Sequence, residues 1–186
     1  SLPYVLKQAI NGWITIFQYR EKGESALTGP AKEALGKELR SICKKANIPF
    51  IVNDNVDLAL MLNADGVHIG QEDEDAKIVR RMIGDRILGV SAHTVEEALQ
   101  AGADYIGVGP IFSTTTKLDT REVRGPQFIS TLRKHRIEIP IVAIGGITLD
   151  KAKEVIQNKA DGLAVISAIS QADNPVSAAK ALRDAW

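Results

Sequence analysis

The feature that most restricts the fold is a strict alternation of short β-branched runs with helical segments along the whole chain. Runs at 15–20, 49–53, 66–70, 87–90, 105–109, 140–144 and 162–166 read as seven strands, each bounded by turn residues. Segments 2–10, 31–46, 56–62, 74–83, 95–101, 127–135, 149–157 and 176–185 carry helical periodicity, so the order is α(βα)7 with eight helices. Asp54 and Asp73 stand where N-caps belong, Thr94 and Glu97 have the spacing of a capping box, and Gly12 and Gly102 follow helix ends.

Alternation of this length has two solutions, a closed barrel or an open doubly wound sheet, both with right-handed crossovers. No Gly-x-Gly-x-x-Gly follows the first visible strand, which weakens a dinucleotide-binding version. The expected fold is therefore an α/β (β/α)8 TIM barrel, one domain over 1–186. The first helix has no strand before it, so the expectation includes a further strand N-terminal to Ser1, absent from the chain as given. Without it an edge would stay unpaired. No internal repeat below the βα unit is visible, no low-complexity segment and no linker. The longest irregular stretch, 110–126, exceeds ordinary connections and is the lid candidate.

Composition narrows the function classes. Among 186 residues, 45% are hydrophobic and 25% charged, which describes a globular domain with a sizeable core. Lys plus Arg and Asp plus Glu both number 23, so no global field recruits nucleic acid or an anionic membrane. Anion affinity must come from local clusters. Cys43 is the single cysteine and lies in the helical pattern of 31–46, so an internal disulfide is impossible and a reducing compartment is expected. No apolar run spans a bilayer and no signal-peptide pattern opens the chain, which makes a cytoplasmic location the expectation. A homo-oligomer is compatible with this sequence.

Period-two alternation in the first visible strand puts Gln18, Arg20 and Lys22 on one side and Phe17 and Tyr19 on the other. If the aromatics face helices, the polar three face the barrel axis, where unpartnered cations expect an anion. An exposed charged edge is the plainer alternative. Asp54 and Asp73 follow adjacent strands at matching positions; each alone reads as an N-cap, but as a pair they can converge on one hard cation such as Mg²⁺. His68 points into the mouth and His93 follows Ser91, and neither has zinc-site spacing. After the fifth strand, Thr114, Thr115 and Thr116 stand beside Lys117, with Arg121 and Arg124 further on, a set suited to phosphate although a solvated loop would look similar. The last two strands end in Gly145-Gly146 and Ile166-Ser167, where barrels of this kind often bind phosphate. Two anion sites on one face imply two anionic small-molecule substrates.

The ordered motifs Gln18-Tyr19-Arg20-Glu21-Lys22, Val52-Asn53-Asp54, Val67-His68-Ile69-Gly70-Gln71-Glu72-Asp73, Gly89-Val90-Ser91-Ala92-His93, Ser113-Thr114-Thr115-Thr116-Lys117, Ile144-Gly145-Gly146 and Ile166-Ser167 resemble the thiamine-phosphate synthase family across essentially the whole chain. The resemblance implies that Gln18, Arg20, Lys22, Asn53, Ser91 and Lys117 hold a pyrimidine diphosphate. It implies Mg²⁺ on Asp54 and Asp73, and a thiazole phosphate on Thr114, Thr116, Gly146, Ile166 and Ser167. It further implies a dissociative reaction in which pyrophosphate leaves, an electron-rich aminopyrimidine stabilises the methylene cation, and the thiazole nitrogen captures it. Arg20, Lys22, Ser91 and Lys117 would then act on the reacting groups. Trp13 departs from the pattern, standing where relatives commonly carry glycine. A thiazole phosphate tautomerase, with His93 as base, and a non-catalytic binder of phosphorylated precursors are the competing readings.

Overall fold

The computed structural model describes residues 1–114 and 121–186. Its order is α1 (Leu2–Asn11), β1 (Phe17–Tyr19), α2 (Gly29–Lys45), β2 (Phe50–Asn53), α3 (Val56–Met61), β3 (Gly66–Ile69), α4 (Ala76–Ile83), β4 (Ile87–Ala92), α5 (Val95–Leu99), β5 (Tyr105–Val108), α6 (Gln127–Lys134), β6 (Ile141–Ile144), α7 (Leu149–Gln157), β7 (Gly162–Ala164), α8 (Ser167–Ser170) and α9 (Pro175–Arg183). All seven expected strands are present, and α8 is a short helix that the periodicity did not reveal. The strands form one parallel sheet in sequence order, β1 to β7.

Strand alternation separates two environments. Tyr19, Phe50, Val52, Val67, Ile69, Leu88, Val90, Ile106, Val108, Ile141 and Ala143 are buried in the core with helix residues such as Leu39, Cys43, Val79, Ile83, Ile129, Leu132 and Val155. Each such Leu, Ile or Val contributes about 1.5–3 kcal/mol of burial, so this layer fixes which strand face turns inward. Gln18, Asn53, His68, Ser91 and Gly107 are consequently left on the inner face.

The sheet is a curled, TIM-barrel-like half barrel, and it is open: among the described residues β1 pairs with β2 and β7 with β6, with no pairing between β1 and β7. The closed eight-stranded barrel expected from the alternation is thus not seen, because the two edges lack a strand between them. The helix layer does meet, since α1 packs on α9. Gly12 explains how: a Cβ there would lie 2.5 Å from Ala179 Cβ and 2.6 Å from the Val176 oxygen. Its φ of −90° is ordinary, so close helix approach, not a left-handed turn, demands the glycine. Trp13 next to it has φ 71° and is 67% exposed. A bulky residue there carries backbone strain that glycine would remove. Among the described residues, no helix is long and apolar enough to cross a membrane.

A repeat of two βα units appears at the N-terminal ends of the strands. Asp65, Asp104 and Asp161, each preceded by alanine, donate their N–H to Phe50, Leu88 and Ile141 C=O at 2.9, 2.8 and 2.8 Å. Their Oδ2 atoms accept the N–H of those same residues at 2.7, 2.8 and 2.8 Å. An arginine from the even-numbered helix before each closes the clamp: Arg40 to Asp65 at 3.3 Å, Arg80 to Asp104 at 2.8 Å and Arg133 to Asp161 at 2.6 Å. The clamps tie strand pairs together at the end remote from the polar mouth, where stability devices are free of functional demands.

One clamp predicts a pH effect. Burial pushes the Asp104 carboxyl up, but the Arg80 guanidinium and the Leu88 N–H outweigh it and hold the group below its usual range. A depressed folded-state pKa adds stability that is present above the unfolded value of about 3.9 and is lost as pH falls through the folded one. Urea midpoints for Asp104→Asn should therefore fall less steeply than those of the parent below about pH 4. Parallel acid limbs would remove the clamp's role.

Candidate active site

The C-terminal ends of β1 to β3 assemble a charged cluster. Lys22 Nζ donates to Asp54 Oδ2 at 2.5 Å. Asp54 sits immediately after β2 with φ 67°, and the Asn55 N–H donates to Asn53 C=O at 2.8 Å, which closes a three-residue turn of the rare positive-φ kind. The Asp54 N–H donates across to His68 C=O at 2.8 Å and anchors that strained turn on β3.

Neither carboxylate is an N-cap. Asn55 caps α3, its side chain accepting from Leu58 N, and Asp75 caps α4, accepting from Lys77 N. The sequence positions were one and two residues off, because each strand is followed by a turn before its helix. Freed from capping, Asp73 instead accepts the Gly70 N–H at 2.7 Å and lies within hydrogen-bonding reach of Asp54.

The two carboxyls titrate apart. For Asp54, burial pushes upward, but the Lys22 ammonium and a hydrogen bond from Asp73 outweigh it and the net shift is down. For Asp73, burial and the adjacent Asp54 charge raise the group, only partly offset by the Gly70 N–H. Two adjacent carboxyls form an oxygen-donor pair of the kind a hard cation takes. Among the described residues no group of three or more His, Cys, Asp or Glu side chains could hold a metal. A pair of carboxylates suits Mg²⁺, which completes its shell with water and substrate oxygens. Lys22, expected to be unpartnered, is paired with Asp54 and about half exposed. Arg20 is half-buried, and among the described residues its guanidinium makes no ion pair or hydrogen bond.

Deeper in the mouth lies a polar layer. His68 is buried, with Nδ1 2.9 Å from Tyr105 Oη and Nε2 2.8 Å from Ser91 Oγ. Gln71 Nε2 donates to Ser91 C=O at 2.8 Å. Two glycines make room: a Cβ on Gly89 would meet Tyr105 Cζ at 2.1 Å, and one on Gly107 would meet His68 Cε1 at 3.0 Å. Tyr105 and Gln71 were not singled out in the sequence. The available signal was Gly89 on the inner face beside Tyr105, since a strand glycine marks a place where a neighbouring group approaches closely. His93 turns Nδ1 to Gly109 C=O at 2.7 Å, and a carbonyl only accepts, so the proton is on Nδ1.

At the ends of β5 to β7 the backbone is packed tightly. Ile111 N–H donates to Ile144 C=O and Phe112 N–H to Gly145 C=O, both at 3.0 Å. Gly145 and Gly146 have φ 106° and 63°, and a Cβ on Gly146 would lie 2.3 Å from the Ser113 oxygen. Thr114, Gly146, Ile166 and Ser167 thus lie at neighbouring strand ends, with Ser167 opening α8. The base of the long connection is tied by Arg124 N–H to Pro110 C=O at 2.9 Å and Gly125 N–H to Ile111 C=O at 3.0 Å. Arg121 reaches Glu72 at 3.9 Å, beside Asp73. Thr116 and Lys117, and with them the tip of the lid candidate, lie outside the described residues.

A family model described as thiamine monophosphate synthase matches residues 1–169. A thiamine-phosphate synthase of Geobacillus kaustophilus is 57% identical over 184 residues, 97% of this chain and 83% of that protein. One from Bacillus cereus is 55% identical over 181 residues, 96% of this chain and 81% of the relative. The solved thiamine phosphate pyrophosphorylase of Pyrococcus furiosus superposes with a TM-score of 0.87 at 35% identity, covering 100% of this chain and 89% of that one.

Proposed function

Given that the chain belongs to the thiamine monophosphate synthase family and is a transferase that makes thiamine phosphate, we propose that its mouth holds an aminopyrimidine diphosphate beside a thiazole phosphate. The observation that carries the proposal is the acid pair Asp54 and Asp73 set next to Lys22, with Arg20 at the adjacent strand end. Mg²⁺ bound by the two carboxylates would neutralise charge on the diphosphate oxygens.

Arg20 and Lys22 supply fixed positive charge where the leaving pyrophosphate becomes more anionic, and preorganised charge is often the largest catalytic term. Gln18, Asn53 and Ser91 orient the pyrimidine on the inner face. The C–O bond to the diphosphate breaks with its electron pair, and the thiazole nitrogen lone pair forms the new C–N bond. Thr114, Gly146, Ile166 and Ser167 would anchor the thiazole phosphate, with Thr116 and Lys117 added from the connection between β5 and α6. Holding both substrates supplies proximity, and no protein nucleophile or strong base is required. Burial of the sheet edges by one further parallel strand between β7 and β1, giving a closed (β/α)8 barrel in a single domain, is part of this proposal. It is supported by the contact of α1 with α9 across the gap.

Mixing the two substrates with Mg²⁺ should yield thiamine phosphate and pyrophosphate in equal amounts. Binding of both without product would overturn the assignment, and isomerisation of a thiazole carboxylate phosphate alone would favour the tautomerase.

A further inference from the structure

Ser91 is held from two sides, by Gln71 at its carbonyl and by His68 at its hydroxyl, and the second contact has a direction. A hydroxyl can donate or accept, and an imidazole nitrogen does one or the other according to its tautomer. The chain of contacts runs from Tyr105 Oη to His68 Nδ1 at 2.9 Å and from His68 Nε2 to Ser91 Oγ at 2.8 Å.

Tyr105 decides the direction. Its ring lies over Gly89 and its hydroxyl has His68 as its one hydrogen-bond partner among the described residues. Burial pushes the phenol well above its usual range, so the hydroxyl keeps its hydrogen. The O–H of this half-buried phenol is donated to the one acceptor in reach among the described residues, which is Nδ1. An Nδ1 that accepts carries no proton, and the neutral ring must then hold its proton on Nε2. That N–H is donated to Ser91 Oγ, whose own hydrogen is turned away from His68. The opposite direction would leave the phenol hydrogen without an acceptor among the described residues.

We infer that Tyr105 is a positioning residue, which locks His68 as the Nε2–H tautomer so that Ser91 presents its O–H as a donor to an acceptor atom of the pyrimidine diphosphate. The inference deepens the proposed function and rests on Ser91 belonging to the pyrimidine site. It explains why the inner face carries glycine at both 89 and 107: each leaves space for one ring of the relay.

The test has a spectroscopic and a kinetic arm, both on the full chain. Two-bond 1H–15N correlation of the His68 ring in the unmodified protein should show the proton on Nε2, and Tyr105→Phe, which keeps the ring over Gly89, should shift it towards Nδ1. A proton on Nδ1 in the unmodified protein would overturn the relay without any variant being made. Kinetically, Tyr105→Phe should raise KM for the pyrimidine diphosphate about tenfold, the loss of one directed hydrogen bond, with the KM for the thiazole phosphate unchanged. Adding Tyr105→Phe to Ser91→Ala should cost nothing further, because both remove one interaction. Additive losses would overturn the relay while leaving the pyrimidine site intact. An unchanged KM in Ser91→Ala alone would instead overturn the placement of the pyrimidine at Ser91.

Discussion

Replacing Asp73 by alanine, or Asp54 by asparagine, is expected to lower Mg²⁺-dependent turnover by roughly 10²–10³-fold while the fold is retained. A metal that neutralises a leaving group is worth several kcal/mol, and each ~1.4 kcal/mol is a factor of ten in rate. Asparagine is chosen at 54 because that residue has φ 67°, a conformation asparagine tolerates better than alanine, so backbone strain is kept out of the measurement. Asp54→Asn also weakens the hold on Lys22, whose ammonium is tied to that carboxylate. The two variants should therefore differ: Asp73→Ala should be partly rescued by raising Mg²⁺, and Asp54→Asn less so. Turnover against Mg²⁺ concentration, with a thermal melt of each variant, reads both effects. Wild-type activity in both variants would end the metal assignment.

Gly146→Ala should unfold the phosphate end of the mouth. The added Cβ meets the Ser113 backbone oxygen at 2.3 Å and Phe112 Cβ at 3.1 Å, and the φ of 63° penalises any L side chain. The conformational term costs about 1–2 kcal/mol and overpacking about 1–3 kcal/mol more. For a chain of this size the sum predicts a fall in Tm of roughly 5–15 °C. Backbone is in the way, so side-chain rotation cannot relieve the contact. The segment from Pro110 to Ser113 has to move, and the KM for the thiazole phosphate should rise with it. A Tm within about 2 °C of the parent would mean that the connection is not packed on Gly146 as described.

How far the sequence reached depended on the range of the interaction. Strand and helix periods are local, so all seven strands were legible, and the same alternation put Gln18, Asn53, Ser91 and the two aspartates at one end of the sheet. N-caps were less legible. Asp54 and Asp73 have the right residue type, yet Asn55 and Asp75 do the capping, because the length of each turn is set by contacts with the neighbouring strand. The short α8 was missed since one turn of helix has no period to detect. The repeated Ala-Asp pairs at 64–65, 103–104 and 160–161 were in plain view, but their meaning appeared only with the arginines from α2, α4 and α6 beside them.

What the sequence determined by itself was the order of elements, the two faces of each strand and the chemistry available at the strand ends, all consequences of bonding and periodicity along the chain. Tertiary structure alone decided the rest. It brought Asp54 within reach of Asp73, seated Tyr105 over Gly89 and against His68, set Gly12 against Ala179, and left β1 and β7 as open edges. Each of these depends on the distance between residues far apart in the chain, and that distance is set by how the helices and strands pack, which no local pattern encodes.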